Sequence, residues 1–282
     1  MNMPMSNIDS FSFSSYMLQV YKINEINRKE TILLSYATGF VYKKRNNKYL
    51  ITNLHVTSGQ DIFTKRIENQ YGCRPDFISC NVSVYDSEQK IIMKHPEYIL
   101  TIPLYDEQKR PKWLIHPRYG RNVDIAVIPL LDIKENIFAI NEGLECKTDI
   151  HVADDVFVIG YPLALGANEN RFYPIWKNAV IASEPSIEYF SDGRKCFLID
   201  GTTRSGMSGS PVIRYSNFTQ VTEADGSHSV RMHINKISNF LGIYSGRLNG
   251  ITSDESFLGL VWKKEIIDEI IAGNRRDDKY EN

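Results

Sequence analysis

Gly206-Met207-Ser208-Gly209-Ser210-Pro211, leading directly into Val212-Ile213, places a serine beside glycines at the mouth of an apolar strand. A turn of this composition exposes the hydroxyl, and neighbours without side chains let a second backbone approach closely. Such a turn can also aim two backbone N–H groups at one point, where a developing oxyanion would be held. By itself the segment also reads as an ordinary Ser/Gly turn before a strand, so its meaning depends on what else the chain supplies.

Two other segments supply it. Tyr49-Leu50-Ile51-Thr52-Asn53-Leu54-His55-Val56 reads as a strand running into a turn that ends on a histidine. Asn122-Val123-Asp124-Ile125-Ala126-Val127-Ile128-Pro129 puts one carboxylate at the start of an apolar strand. A carboxylate entering a core needs hydrogen-bonding partners, and a histidine is one. His55 and Asp124 are 69 residues apart, and Asp124 and Ser208 are 84 apart. His, then Asp, then Ser is the chain order of chymotrypsin.

Around these segments run short stretches rich in Val, Ile, Tyr and Phe, among them Met17–Ile23, Ile32–Tyr42, Ile78–Tyr85, Asp155–Gly160 and Phe240–Tyr244. About a dozen such strands with hardly any helix between them argue for barrels or sandwiches rather than a βαβ sheet. One helix is expected, over Lys263–Ala272, where Ile266, Ile267, Ile270 and Ile271 form an apolar stripe before the stop signal Gly273-Asn274. The polar segment Asp132–Ile150 reads as the connection between two strand-rich halves, and Gln60–Pro75 and Ser216–Lys236 as longer loops or an inserted hairpin. The tail Arg275-Arg276-Asp277-Asp278-Lys279 reads as a frayed end.

The 282 residues carry a formal charge of -1, so no global field points to nucleic acid or an anionic membrane. No stretch approaches the roughly 20 apolar residues of a membrane helix, and Met1–Asn7 has no basic-then-apolar secretory pattern. Cys73, Cys80, Cys146 and Cys196 form no C-x-x-C pair and no zinc pattern, and are expected as free thiols in a reduced compartment. His95, His116, His151, His228 and His233 lack H-E-x-x-H spacing and read as surface or turn residues. No metal and no cofactor is expected.

The chain resembles the trypsin-like peptidases, closest to the bacterial HtrA-type and glutamyl endopeptidase branches. The resemblance rests on Thr38–Val41, Leu50–Val56, Asp124–Val127, Gly160–Pro162, Gly206–Val212 and Leu241–Gly246. It implies an all-β, chymotrypsin-like fold of two six-stranded antiparallel barrels followed by a C-terminal α-helix. The first barrel (1–140) would carry His55 and Asp124, the second (141–262) Ser208, with helix and tail over 263–282. Ser208 is then the implied nucleophile, His55 the general base and acid, Asp124 its orienting group, and the N–H groups of Gly206 and Ser208 the oxyanion hole. Thr202, at the pocket floor, joins Thr203, Tyr244, Ser245, Gly246 and Arg247 as implied substrate-binding residues, with Ser245 hydrogen-bonding Asp124. Where digestive relatives carry an aspartate that receives a new N-terminus, this chain has Met207, so its loop must order itself or be ordered by a partner. The expected function is serine endopeptidase action on protein or peptide substrates, in the cytoplasm of a bacterium, under a regulatory protein partner. The rival expectation is a catalytically silent module of the same shape that binds proteins.

Overall fold

The computed structural model describes residues 8–62, 64–67, 69–86, 91–131, 133, 135–142, 149–165, 173–222, 225, 227–247 and 258–278. Six strands make an N-terminal sheet: β1 (Ser15–Ile23), β2 (Thr31–Lys44), β3 (Asn47–Thr52), β4 (Phe77–Asp86), β5 (Ile91–Pro103) and β6 (Ala126–Pro129), in the order β5-β4-β1-β2-β3-β6. Six more, β7 (Asp155–Gly160), β8 (Ile175–Ile181), β9 (Cys196–Asp200), β10 (Pro211–Thr222), β11 (His228–Arg247) and β12 (Leu258–Lys263), close into a barrel ordered β10-β11-β12-β9-β8-β7. Every ladder is antiparallel. The chain is therefore mostly β with one closed barrel. Among the described residues no ladder joins the edge strands β5 and β6, so the first barrel, expected over 1–140, stands as a six-stranded sheet.

Many strands read as continuous apolar runs because both of their faces are buried. Successive side chains of a strand point to opposite sides, and here each side meets a core. Leu50 of β3 packs inside the N-terminal half with Tyr16, Leu18 and Ile78, while its neighbour Ile51 turns outward. There it joins Phe40, Val127, Ile213, Phe240 and Trp262 in a seam shared with the C-terminal half. Phe40 and Phe240 meet edge to face across that seam, 5.3 Å between centroids. A third cluster, including Val156, Phe197, Met207 and Val212, fills the barrel.

Among the described residues two α-helices are formed: a single turn α1 (Leu54–Ser58) and the C-terminal α2 (Lys264–Gly273), one residue later than the periodicity implies. Ile266, Ile267 and Ile270 of α2 are fully buried in the seam. Its polar face reaches both halves, since Asp268 pairs with Lys44 at 2.8 Å and Glu269 with Lys195 at 2.6 Å.

The structure departs from these expectations in two places. The tail does not fray: Asp277 is buried, accepting from the Trp113 indole at 3.0 Å and from Arg121 Nε at 2.7 Å, and Arg275 and Asp277 bond the backbone of residues 113 and 115. An indole N–H and a guanidinium near the core need acceptors, and Asp277 provides one; Lys279 lies outside the described residues. His116 is buried at the head of a turn rather than on the surface; its Nδ1 accepts two amides and its Nε2 bonds Glu269 at 2.9 Å. The connection between halves is partly docked, with Phe138 N–H on Ser83 O and Ile137 buried. Ser216–Lys236 does form a hairpin, within β10 and β11. Cys73, Cys80 and Cys196 are free thiols, and Cys146 lies outside the described residues.

Replacing Ile267 by Ala should lower the unfolding free energy by about 2–5 kcal/mol, the usual range for emptying a fully buried aliphatic site. Ala272→Ser, on the exposed side of α2, should stay within about 0.5 kcal/mol of the parent in the same urea titration.

Candidate functional site

At the end of β3, Asn53 takes an extended conformation and α1 begins, closed by Gly59 at φ 69°. Leu54 and Val56 are buried in the N-terminal core, which turns the His55 ring between them toward a cleft. Asp124 stands just before β6 between Val123 and Ile125, both buried in the seam. Its carboxylate is 2% exposed and is held by donors. His55 Nδ1 lies 2.7 Å from Oδ2, the His55 backbone N–H donates to Oδ1 at 3.0 Å, and the Ser245 hydroxyl donates to Oδ2 at 2.5 Å. Asn53 Nδ2 adds a bond to the Asp124 carbonyl at 2.7 Å.

Burial pushes the Asp124 carboxyl upward, but the charge of the His55 ring and the bonds from His55 and Ser245 outweigh it, holding it below the usual carboxylate value. An ionised carboxylate can only accept, so His55 Nδ1 carries a proton toward it, and whenever the ring is neutral its lone pair is on Nε2.

A local irregularity aims Ser245. The β11–β12 register shifts between Tyr244 and Gly246, and the extra residue is Ser245. Bulges re-aim side chains in this way. Past Ile243 the β10–β11 ladder ends, so on that side Ser245, Gly246 and Arg247 line the cleft, while Gly246 and Arg247 stay paired with β12 on the other.

Ser208 occupies the turn before β10. Gly206 and Gly209 sit at φ 92° and 87°, where side chains are disfavoured, and neither has room for one. A Cβ on Gly206 would lie 2.4 Å from Tyr161 O, and one on Gly209 would lie 2.1 Å from Thr38 O. His55 and Ser208 line both of two adjoining cavities, of about 330 and 530 Å³. Asp124, Thr203, Tyr244, Ser245, Gly246 and Arg247 line the larger one. Of the residues expected from sequence, Thr202 stands apart: it is exposed, and the cavity lining begins at Thr203.

Inside the larger cavity Thr203 Oγ1 and Tyr244 Oη are 2.5 Å apart, and Arg247 donates to the Thr203 carbonyl at 3.2 Å. Burial raises the Tyr244 phenol above its ordinary value, against smaller opposing effects of Thr203 and Arg247, so it stays a neutral hydroxyl. Sequence reasoning missed Asn53 and the loop residues Asp61 and Thr64 that overhang the cleft. Asn53 adjoins the histidine and could have been found; nothing local marks the other two. Among the described residues no cluster of His, Cys, Asp or Glu converges as a metal site, and no helix is long and apolar enough to cross a membrane.

A family profile described as a trypsin-like peptidase domain matches residues 37–218, more than half of the chain. No curated protein matches significantly. Among solved structures, the chain is similar to a crystal structure of Rv3671c from M. tuberculosis H37Rv, a serine-to-alanine mutant in its inactive form. The identity is 13% and the TM-score 0.44, over 93% of this chain and 87% of that one. It is also similar to a structure of Rv3671c protease, inactive form, at 16% identity and TM-score 0.44, over 93% of this chain and 89% of that one.

The Asp124 carboxyl sets a pH dependence. Because its folded value lies below its unfolded one, ionisation stabilises the fold in full above the unfolded value and less as pH falls toward the folded value. Resistance of the native protein to urea should therefore fall as pH drops from about 6 to about 3, and Asp124→Asn should lose less stability over the same interval.

Proposed function

The chain belongs to the trypsin-like peptidase domain family, and from that premise we propose that it is a serine endopeptidase acting through Ser208, His55 and Asp124. The observation that carries the reading is the His55 ring, bound to Asp124 through Nδ1 at 2.7 Å while lining the same two cavities as Ser208. A serine hydroxyl is hardly ionised at neutral pH and must lose its proton as it attacks. His55 Nε2 takes that proton as Ser208 Oγ bonds the scissile carbonyl carbon, and the carbonyl electron pair moves onto oxygen. The Gly206 and Ser208 N–H groups hold that oxyanion. Collapse breaks the C–N bond, and the Nε2 proton goes to the leaving amine. Water then repeats the sequence on the acyl-enzyme and frees Ser208. Asp124 keeps the tautomer and stabilises the imidazolium, and the open edge at Ser245–Arg247 pairs with substrate backbone as an added strand.

The Thr203–Tyr244 hydroxyl pair and the Arg247–Thr203 bond give the specificity pocket a polar, cationic lining that favours an acidic or small polar side chain. The functional units are the N-terminal half to residue 140, the barrel from 141 to 262, and the helix and tail beyond. Within the family the reading places the chain nearest the HtrA-type and glutamyl endopeptidase branches, working in a bacterial cytoplasm under a regulatory protein partner. Free thiols at Cys73, Cys80 and Cys196 suit a reducing compartment.

A fluorophosphonate probe should label the native protein and not Ser208→Ala. Turnover of unfolded casein should fall by about 10⁴-fold or more in that variant. An inert native protein would instead identify a silent binding module. In a peptide library, cleavage should concentrate after Asp, Glu or small polar residues; efficient cutting after Lys would overturn the pocket reading.

A further inference from the structure

The loop around Ser208 has an unusual hydrogen-bond ledger. Four consecutive carbonyls are taken: Ser205 O by Leu163 N–H at 2.7 Å, Gly206 O by the Thr38 hydroxyl at 2.7 Å, Met207 O by Ser210 N–H at 3.0 Å, and Ser208 O by Thr38 N–H at 2.9 Å. Met207 N–H and Gly209 N–H are also taken, by Arg204 O and Tyr244 O. Among the described residues, the Gly206 and Ser208 N–H groups have no acceptor. A trans peptide points its N–H opposite its C=O. Binding Ser205 O on one side therefore directs Gly206 N–H to the other, and binding Met207 O does the same for Ser208 N–H.

Between these two peptides lies the 206–207 plane, and Gly206 is its weak point. At φ 92°, with no side chain, the glycine has nothing of its own to resist rotation. The Met207 side chain, where an aspartate ion pair would otherwise anchor the turn, is fully buried in the barrel core. The N–H side of the 206–207 plane is held within the loop by Arg204 O, and its carbonyl side by Thr38, on β2 in the other half, itself fully buried. Its Oγ1 accepts Tyr161 N–H at 3.2 Å, so the one hydroxyl proton is left to point at Gly206 O. Its carbonyl accepts the Thr52 hydroxyl at 2.8 Å, three residues before His55.

We infer that Thr38 is a positioning residue for the oxyanion hole: its hydroxyl fixes the 206–207 peptide plane so that both N–H groups face the reacting carbonyl without help from a new N-terminus. The inference rests on the peptidase reading. It makes the N-terminal half responsible for the electrostatic geometry of a loop in the C-terminal half, as well as for the base.

The test is the rate of fluorophosphonate labelling, resolved into the maximal rate and the half-saturating probe concentration, for native protein, Thr38→Ser, Thr38→Val and the Ser208→Ala control. Losing one oxyanion donor outright costs about 10²–10³ in rate. Thr38→Val, which loosens the donors without removing them, should lower the maximal rate about 10–100-fold with the half-saturating concentration within about twofold. Thr38→Ser, which keeps the hydroxyl, should stay within about threefold of native. A folded Thr38→Val that labels at the native rate overturns the inference. So does a Thr38→Ser as slow as Thr38→Val, because bulk rather than the hydroxyl would then matter. If Thr38→Val does not fold, Thr38→Cys replaces it: of similar bulk to serine but a weak donor, it should label about tenfold slower than Thr38→Ser, and equal rates overturn the inference. Native protein that shows no labelling dependent on Ser208 removes the peptidase reading itself, a result distinct from the others.

Discussion

A carboxylate sunk between two β layers stays charged only if enough donors surround it, and Asp124 meets that condition from two parts of the chain. The turn after β3 gives the His55 amide and ring, the bulge in β11 gives the Ser245 hydroxyl, and Asn53 ties down the carbonyl behind it. Asn53 and His55 share one turn of the N-terminal half, and Ser245 comes from the barrel. The site therefore exists only when the N-terminal sheet and the barrel are seated against each other. Charge, tautomer and domain packing are one constraint here rather than three.

The seam that enforces this seating is apolar and doubly used. Strands such as β3 feed one core with Leu50 and the seam with Ile51, so the same backbone serves both. Helix α2 lies on the seam with three buried isoleucines and reaches to either half with Asp268 and Glu269. Misplacing the seam would move His55 relative to Ser208 without altering either local turn.

What the sequence makes legible is local. A serine among glycines, a histidine ending a strand and an acid opening another are visible within eight residues each, and the structure brings them to one cleft. Strand positions are legible for the same reason: β-branched and aromatic runs between polar turns are local signals. What escapes is nonlocal. The role of Thr38 depends on a bond spanning 168 residues, and the burial of His116 on a partner 153 residues away. The resemblance places Thr202 at the pocket floor, while the path of the chain leaves Thr202 exposed and buries its neighbour Thr203. Likewise no property of β5 and β6 in isolation tells whether their edges meet.

The docking of Asp277 bears on when the protein becomes whole during synthesis. The segment from Trp113 to Val127 carries Asp124, and Trp113 and Arg121 within it are satisfied by a residue 164 and 156 positions later. A nascent chain emerging from the ribosome can pair its early strands, but this segment lacks its last acceptor until the whole barrel has been translated. The residues that prepare the imidazole are thus completed only by a stretch that follows the barrel, and a chain translated short of it holds the parts of the site without their final arrangement.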